Sequence, residues 1–382
     1  MTMSNQPIDN KQAQRILHIT FNMGFGGTEQ VIRQLVMHLP KDQFNNEVLC
    51  IDGEVGEIGQ RLEAEQGITI HTLTRQPGLD WRLAVNIRRH IKQGGFTIVH
   101  CHQYTPWFYG WLGSFGSGTR LVFTEHGRFY PDRHRRKAWL VNKLMARTTD
   151  AIVAISWATR DALVEYEFLP ANKVQVIYNG IEPLSSGTEA GQAIRKSLGI
   201  PVEGFVAGTV ARLDPVKNQA MMIRALHDMG EKRPTVFLLL VGDGPARNDL
   251  EELVKQFGLE SRVIFTGFQK QPGLYLAAMD VFLLTSDTEG TSMTLLESMS
   301  LAKPCVATAV GGNPEIVTQN ETGFLVEAGD SQGLAEKLEL LRTQPLVRQA
   351  MAEAAHQRFL SSFSIEKMVT AYQALYEPMD RG

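Results

Sequence analysis

Short runs of β-branched and aliphatic residues alternate with stretches of helical period along nearly the whole chain, and this alternation limits the folds open to it. Runs at 16–21, 47–51, 68–72, 97–101, 120–124, 151–155 and 173–178 are followed, after a gap, by runs at 204–210, 235–241, 262–266, 280–284, 304–308 and 323–326. Helical patterns fall between them, for example at 28–39, 80–93, 134–147, 246–257 and 330–342. Strands that are apolar throughout are buried on both faces, and their alternation with helices makes them parallel. At 382 residues the chain is long enough for two such units, since a domain takes roughly 150 residues. The pattern breaks over 183–192, a small and polar stretch that reads as an interdomain linker. The expected class is α/β, with doubly wound parallel-sheet domains over 1–184 and 185–362 whose strand ends face a crevice. A helix within 363–382 needs a partner that the sequence leaves open, the first domain being one candidate.

Composition narrows the function. Lys and Arg total 38 against 41 Asp and Glu, for a net charge of −3, which argues against a dedicated nucleic-acid binder. The three cysteines (Cys50, Cys101, Cys305) are too few and too scattered for a disulfide framework. The first residues are polar, without a leader-like apolar run. The longest apolar runs, such as Val236–Val241, have strand length and not the ~20 residues of a membrane span. The expectation is a soluble, reduced, cytoplasmic protein.

Several strand ends carry groups suited to anions. The first strand runs into Asn22-Met-Gly24-Phe-Gly26-Gly27-Thr-Glu29 and then a helix. A Gly-rich turn at a helix N-terminus offers free N–H groups and the positive end of a dipole to a phosphate or sugar. The dinucleotide fingerprint fails, because Glu29 takes its third glycine position. In the second half, Arg212 and Lys217 follow a strand end closely enough to converge on a diphosphate, Arg as a fork and Lys as a point charge. The turn at Gly242 faces the same crevice. Glu289 opens a helical segment, Glu297 lies about two turns on, and Gly290, Thr291, Ser292 and Met293 put unpaired N–H groups at its mouth.

The spacing E289-x7-E297, the Arg212/Lys217 pair, Gly26-Gly27, Tyr178-Asn179-Gly180 and Gly311-Gly312-Asn-Pro-Glu315 together resemble the family-4 retaining glycosyltransferases of the GT-B fold, such as those that build bacterial cell-surface polysaccharide and lipopolysaccharide. The resemblance covers almost the whole chain in order. It implies two Rossmann-like domains facing a central crevice, a nucleotide-sugar co-substrate with UDP favoured, and no separate cofactor. It also implies roles. Arg212 and Lys217 would neutralise the leaving diphosphate. Glu289 would contact the sugar hydroxyls and Glu297 the ribose, while the N–H groups at Ser292 and Met293 would reach phosphate. The backbone around Phe268 and Gln269 would hold the base, and His126 would lie against the donor sugar. Many relatives read Glu-Gly-Phe-Gly-Leu where this chain reads Glu289-Gly-Thr-Ser-Met, which leaves the sugar open.

The first half carries the acceptor clues. Core packing is the expected role for most of the aromatic stretch Tyr104–Trp111. The most basic run holds Arg128, Arg133, Arg135, Arg136 and Lys137; it suits an anionic membrane surface or a charged, lipid-linked glycan acceptor, or is a solvated face. A peripheral place on the inner face of the membrane follows from the first of these. His100 and His102 share one strand face, but no further cluster follows that would complete a metal site. Two other readings stay open: an epimerase or phosphorylase of the same fold, and a nicotinamide-dependent oxidoreductase using the first Gly-rich loop.

Overall fold

The computed structural model describes residues 13–127, 134, 138–230 and 235–377. It holds two parallel sheets. The first is seven-stranded, in the order β3-β2-β1-β4-β5-β6-β7, from β1 (Gln14–Thr20), β2 (Phe44–Cys50), β3 (Ile70–Thr72), β4 (Ile98–His102), β5 (Arg120–Glu125), β6 (Ala151–Ala154) and β7 (Val174–Val176). The second is six-stranded, in the order β10-β9-β8-β11-β12-β13. Its strands are β8 (Phe205–Val210), β9 (Val236–Val241), β10 (Val263–Gly267), β11 (Val281–Leu284), β12 (Cys305–Thr308) and β13 (Gly323–Val326). The strand order reverses beside β1 in one sheet and beside β8 in the other. Such switch points open a crevice at the carboxyl ends of the strands.

Both faces of each sheet are covered, which is why the strands read as unbroken apolar runs. Leu17 and Ile19 pack with Leu49, Val99 and Phe123 on one face of the first sheet, and Ile16 packs with Val31, Leu35 and Val122 on the other. In the second sheet Leu238 and Leu240 face one core, and Phe237, Leu239 and Val241 the opposite one. Trp107, fully buried, stacks on Phe123 with ring centroids 4.1 Å apart and donates its indole N–H to Thr149 Oγ1 at 3.0 Å, so this part of the aromatic stretch is core.

The chain crosses from the first sheet to the second after β7 and returns near Ser364, and the two crossings are bonded side by side. Ile181 N–H donates to Phe363 O at 3.2 Å, and Ile365 N–H donates to Ile181 O at 3.0 Å. A Cβ on Gly180 would lie 2.4 Å from Ser364 O, so only glycine permits this approach. The helix Ile365–Tyr376 then lies on the first sheet, burying Ile365, Met368, Val369, Tyr372 and Tyr376 against Ile16, Ile98, Val122 and Val153. The Arg120 guanidinium donates to the carbonyls of Leu375, Tyr376 and Glu377 at 2.7, 3.0 and 2.8 Å. A cation placed on the last carbonyls of a helix satisfies them and suits its dipole.

Two sequence expectations need correction. The stretch read as a linker ends in helix Thr188–Ser197. Its glycine is there for contact and not for looseness, since a Cβ on Gly191 would meet Ala277 O at 2.5 Å. The helix expected over 134–147 is Trp139–Thr148. Arg128, Arg133, Arg135, Arg136 and Lys137 lie outside the described residues.

Candidate functional site

The site lies where the strand ends of the two sheets face each other. On the second sheet, β8 ends in a turn that carries Arg212 and leads through Asp214, whose carboxylate accepts from Val216 N–H, into the short 3-10 turn Pro215–Lys217. Lys217 Nζ donates to Glu289 Oε1 at 2.6 Å, and Ser286 Oγ donates to the same oxygen at 2.6 Å. Both donors fall on one oxygen, so Glu289 Oε2 has no partner among the described residues. The Glu289 side chain is only 9 % exposed and that of Lys217 29 %. Lys217 is held from behind: Thr285 Oγ1 donates to the carbonyls of Lys217 and Asn218, and Asn218 Nδ2 donates to Asp287. Arg212 is far more open, 71 % exposed, with Asp214 at 3.8 Å. It belongs to the same turn but does not join the Lys217–Glu289–Ser286 cluster.

The helix Met293–Ser300 is N-capped by Ser292, whose hydroxyl accepts from Leu295 N–H. The first amides of a helix have no acceptor of their own, which leaves the mouth at Met293 electropositive. Glu297 lies on this helix, partly buried, and burial pushes its carboxyl up to about 7. Its carboxylate has no partner among the described residues. The turn at Gly242 folds onto the turn after β8: its φ is +139°, and a Cβ there would lie 2.0 Å from Ala211 O. Phe268 stands 65 % exposed at the lip, edge-on to Phe25 of the first Gly-rich loop at 6.3 Å. The Gln269 side chain is turned back, its Nε2 donating to Thr266 O at 2.8 Å.

The first half meets this wall at several points. A Cβ on Gly27 would sit 3.9 Å from Met293, so the Gly-rich loop faces the helix mouth. Glu29 folds back there, its Oε2 2.2 Å from where a Gly26 Cβ would be. Burial, with Asp52 nearby, raises its carboxyl above the usual range. This carboxylate competes with any anion for the loop. A Cβ on Gly290 would stand 3.1 Å from His126 O, which puts His126, at the end of β5, beside the Glu289–Gly290 turn. The Thr291 hydroxyl is taken by the opposite domain, donating to Ile155 O at 3.1 Å. Glu315 crosses as well: its carboxylate accepts from Trp157 N–H at 2.7 Å and Ala158 N–H at 2.8 Å, the first amides of helix Trp157–Tyr166.

Sequence reasoning gave no role to Ser286 or Glu315, and it weighed His102 only as a metal-site look-alike. The only signal for Ser286 was its place three residues before Glu289. Ligand atoms of His18, His100 and His102 lie within 4.8 Å of one another. Every ring nitrogen of the three is hydrogen-bonded, His100 through Thr124 and Tyr376, His18 and His102 through Asn46, each other and His126.

Comparison with known proteins agrees with this layout. Residues 25–183 match the family model Glycosyltransferase Family 4, and residues 191–358 match Glycosyl transferases group 1. The chain is 26% identical over 378 residues to the UDP-Gal:alpha-D-GlcNAc-diphosphoundecaprenol alpha-1,3-galactosyltransferase of Escherichia coli, with 96% of this chain and 97% of the relative covered. It is 28% identical to the N-acetyl-alpha-D-glucosaminyl L-malate synthase of Bacillus anthracis, with 82% of each covered. Among solved structures, Anabaena HepE in complex with UDP and glucose superposes with a TM-score of 0.80 at 25% identity, over 94% of this chain and 98% of that one. A glycosyltransferase from Rickettsia africae gives 0.86 at 19% identity, over 96% and 98%. With the two family models matched in order on the two sheet domains, the chain belongs to the family-4 glycosyltransferases of the GT-B fold.

Proposed function

We propose that the protein moves a hexose from a UDP-sugar to a lipid-linked glycan, with retention of anomeric configuration and without a metal ion. The observation that carries this reading is the Glu289 carboxylate, pinned through Oε1 by Lys217 and Ser286 with Oε2 left for a sugar hydroxyl, beside an open helix mouth. Breaking the bond from anomeric carbon to phosphate builds negative charge on the phosphate. Fixed donors facing that charge lower the barrier, together by several kcal/mol. Arg212, Lys217 and the amides at Ser292 and Met293 serve as those donors, which is why metal is dispensable in this reading. The acceptor hydroxyl attacks the face that the phosphate leaves, and its proton passes to the departing phosphate oxygen. Glu297 accepts from the ribose hydroxyls, and the backbone at Phe268 and Gln269 borders the base. UDP is the favoured nucleotide because the HepE complexes contain it, and a lipid-linked acceptor because the name of the E. coli relative includes one.

The test is a transfer reaction with UDP-glucose, UDP-galactose and UDP-N-acetylglucosamine on undecaprenyl-diphosphate glycans, followed by proton NMR of the anomeric signals, with and without EDTA. An α-linked product formed equally in EDTA is expected. A β-linked product overturns retention, and loss of turnover in EDTA overturns metal independence.

A second reading concerns place. No described helix is long and apolar enough to cross a membrane. Helix Trp139–Thr148 exposes Leu140 at 69 % and Leu144 at 50 %, and Lys143 Nζ lies 4.9 Å over the Trp139 ring. Exposed apolar side chains among cations suit the headgroup region of an anionic bilayer. This supports peripheral attachment to the inner membrane face, where a lipid-linked acceptor would be met.

A further inference from the structure

A file of imidazoles lies behind His126. His126 Nε2 is 2.9 Å from His102 Nδ1, His102 Nε2 is 3.1 Å from His18 Nδ1, and His18 Nε2 is 3.1 Å from Asn46 Oδ1. These groups sit on or just after β5, β4, β1 and β2, which are neighbours in the sheet. His18 and His102 are wholly buried. Burial lowers the His18 imidazole to about 4 and that of His126 to about 3, and holds His102 well below its ordinary value. All three rings are neutral at neutral pH. A neutral imidazole has one donor nitrogen and one acceptor nitrogen. The protons of the file therefore all point toward Asn46 or all point away. Asn46 Oδ1 can only accept. The proton of His18 is then on Nε2, that of His102 on Nε2, and that of His126 on Nε2. His126 Nδ1 is left bare, and it is buried with no partner among the described residues. His100 lies beside His102, the rings tilted by 40° with centroids 4.0 Å apart, but its nitrogens are bonded to Thr124 and Tyr376, so it takes no part in the file.

We propose that Asn46, His18 and His102 are positioning residues that hold His126 in the Nε2–H tautomer and so present Nδ1 as the acceptor for a hydroxyl of the donor sugar. The identity of that hydroxyl rests on the glycosyltransferase reading; the tautomer does not. In the opposite tautomer, Nδ1 would carry a hydrogen and a hydroxyl could meet it only by accepting. The file turns an oxygen on β2 into the choice of which sugar hydroxyl orientation is bound.

The experiment has two readouts. Two-dimensional ¹⁵N–¹H spectra of the labelled, full-length, ligand-free protein at pH 8.5 separate protonated from bare ring nitrogens. His126 is expected as the Nε2–H tautomer in wild type and in Asn46→Asp, whose carboxylate can only accept. Asn46→Leu is expected to give a mixture of tautomers. In transfer assays, Asn46→Leu and His102→Leu should lower kcat/KM about tenfold, the value of one hydrogen bond. Affinity for UDP should change less than twofold, and His102→Gln, whose amide keeps a donor group and an acceptor group, should recover part of the rate lost in His102→Leu. An Nδ1–H tautomer on wild-type His126 overturns the proposal, as does an Asn46→Leu variant with unchanged tautomer and unchanged kcat/KM. If wild type transferred no sugar from any UDP donor, the assigned reaction would fall, while the spectra would still decide the tautomer.

Discussion

Lys217 Nζ and Glu289 Oε1 lie 2.6 Å apart, and this pair ties the turn after β8 to the segment after β11. In the proposed mechanism each partner holds the other in place for a separate task, cation to phosphate and carboxylate to sugar. Lys217→Ala should therefore lower transfer by at least about 10²-fold, by removing a donor and by freeing Glu289. Arg212→Ala should cost a similar factor with no loss of Tm, since that side chain is exposed and weakly paired. Steady-state kinetics beside thermal melts check this; near-wild-type turnover in both variants would remove the diphosphate assignment.

The two glutamates should separate in calorimetry with UDP. Glu297→Gln is expected to weaken UDP binding, and Glu289→Gln to spare it while lowering transfer. Equal losses would contradict the division. Burial lifts the Glu297 carboxyl from 4.5 to about 7, so ionising it for ribose hydroxyls requires a proton to leave below that pH. Affinity for UDP should then tighten from pH 6 to 8, by up to about tenfold per unit below 7. Stability moves the other way. Between pH 4.5 and 7 the folded state holds a proton that the unfolded chain has lost, so this group's contribution falls as pH rises through that window. Glu297→Gln should melt above wild type at pH 8, and the two should converge near pH 4.5.

Glu315 is the domain clasp. Its carboxylate fills the N-terminus of helix Trp157–Tyr166 from the opposite domain, where an anion is favoured. Glu315→Ala should destabilise the protein by about 0.5–2 kcal/mol, the range for losing an acceptor at a helix N-terminus, and should widen the crevice in solution. Small-angle scattering with a melt reads both effects. An unchanged radius of gyration and Tm would mean the clasp carries no weight.

Membrane attachment should be peripheral and salt-sensitive. Each cation near an anionic bilayer contributes about 1 kcal/mol, screened over roughly 8 Å. Wild type should co-sediment with vesicles containing phosphatidylglycerol at low salt and leave them at high salt. Leu140→Ser with Leu144→Ser should weaken this, as should exchange of Arg133, Arg135, Arg136 and Lys137 for Gln. Wild type that stays in the supernatant at low salt would exclude the surface.

The strands were legible because two-sided burial leaves unbroken apolar runs such as Val236–Val241, which no polar face interrupts. Lys217, Glu289 and Glu297 stood out by their spacing around strand ends, but Glu289 lies in the loop before helix Met293–Ser300 and does not open it as the sequence suggested. The His file was not. Periodicity puts His18 and His102 in strands, but only register brings His18 level with His100, with His102 near its ring. Nor could spacing tell that the Thr291 hydroxyl turns to Ile155, since that bond depends on how two domains meet. Gly191 misled for a related reason: a small residue for close packing looks, in sequence, like a small residue for flexibility.

The docking of helix Ile365–Tyr376 on the first sheet governs the order in which the protein is completed during synthesis. The strands of the first domain leave the ribosome before the second domain exists, yet the face of Ile16, Ile98, Val122 and Val153, which Val31 and Leu35 cover in part, is not closed until that helix emerges. The domain made first is thus finished last, after the other has had time to fold. A fragment that stops short of Ile365 would carry a partly bare apolar face, and the two halves of this molecule cannot be separated by a single cut between β7 and β8.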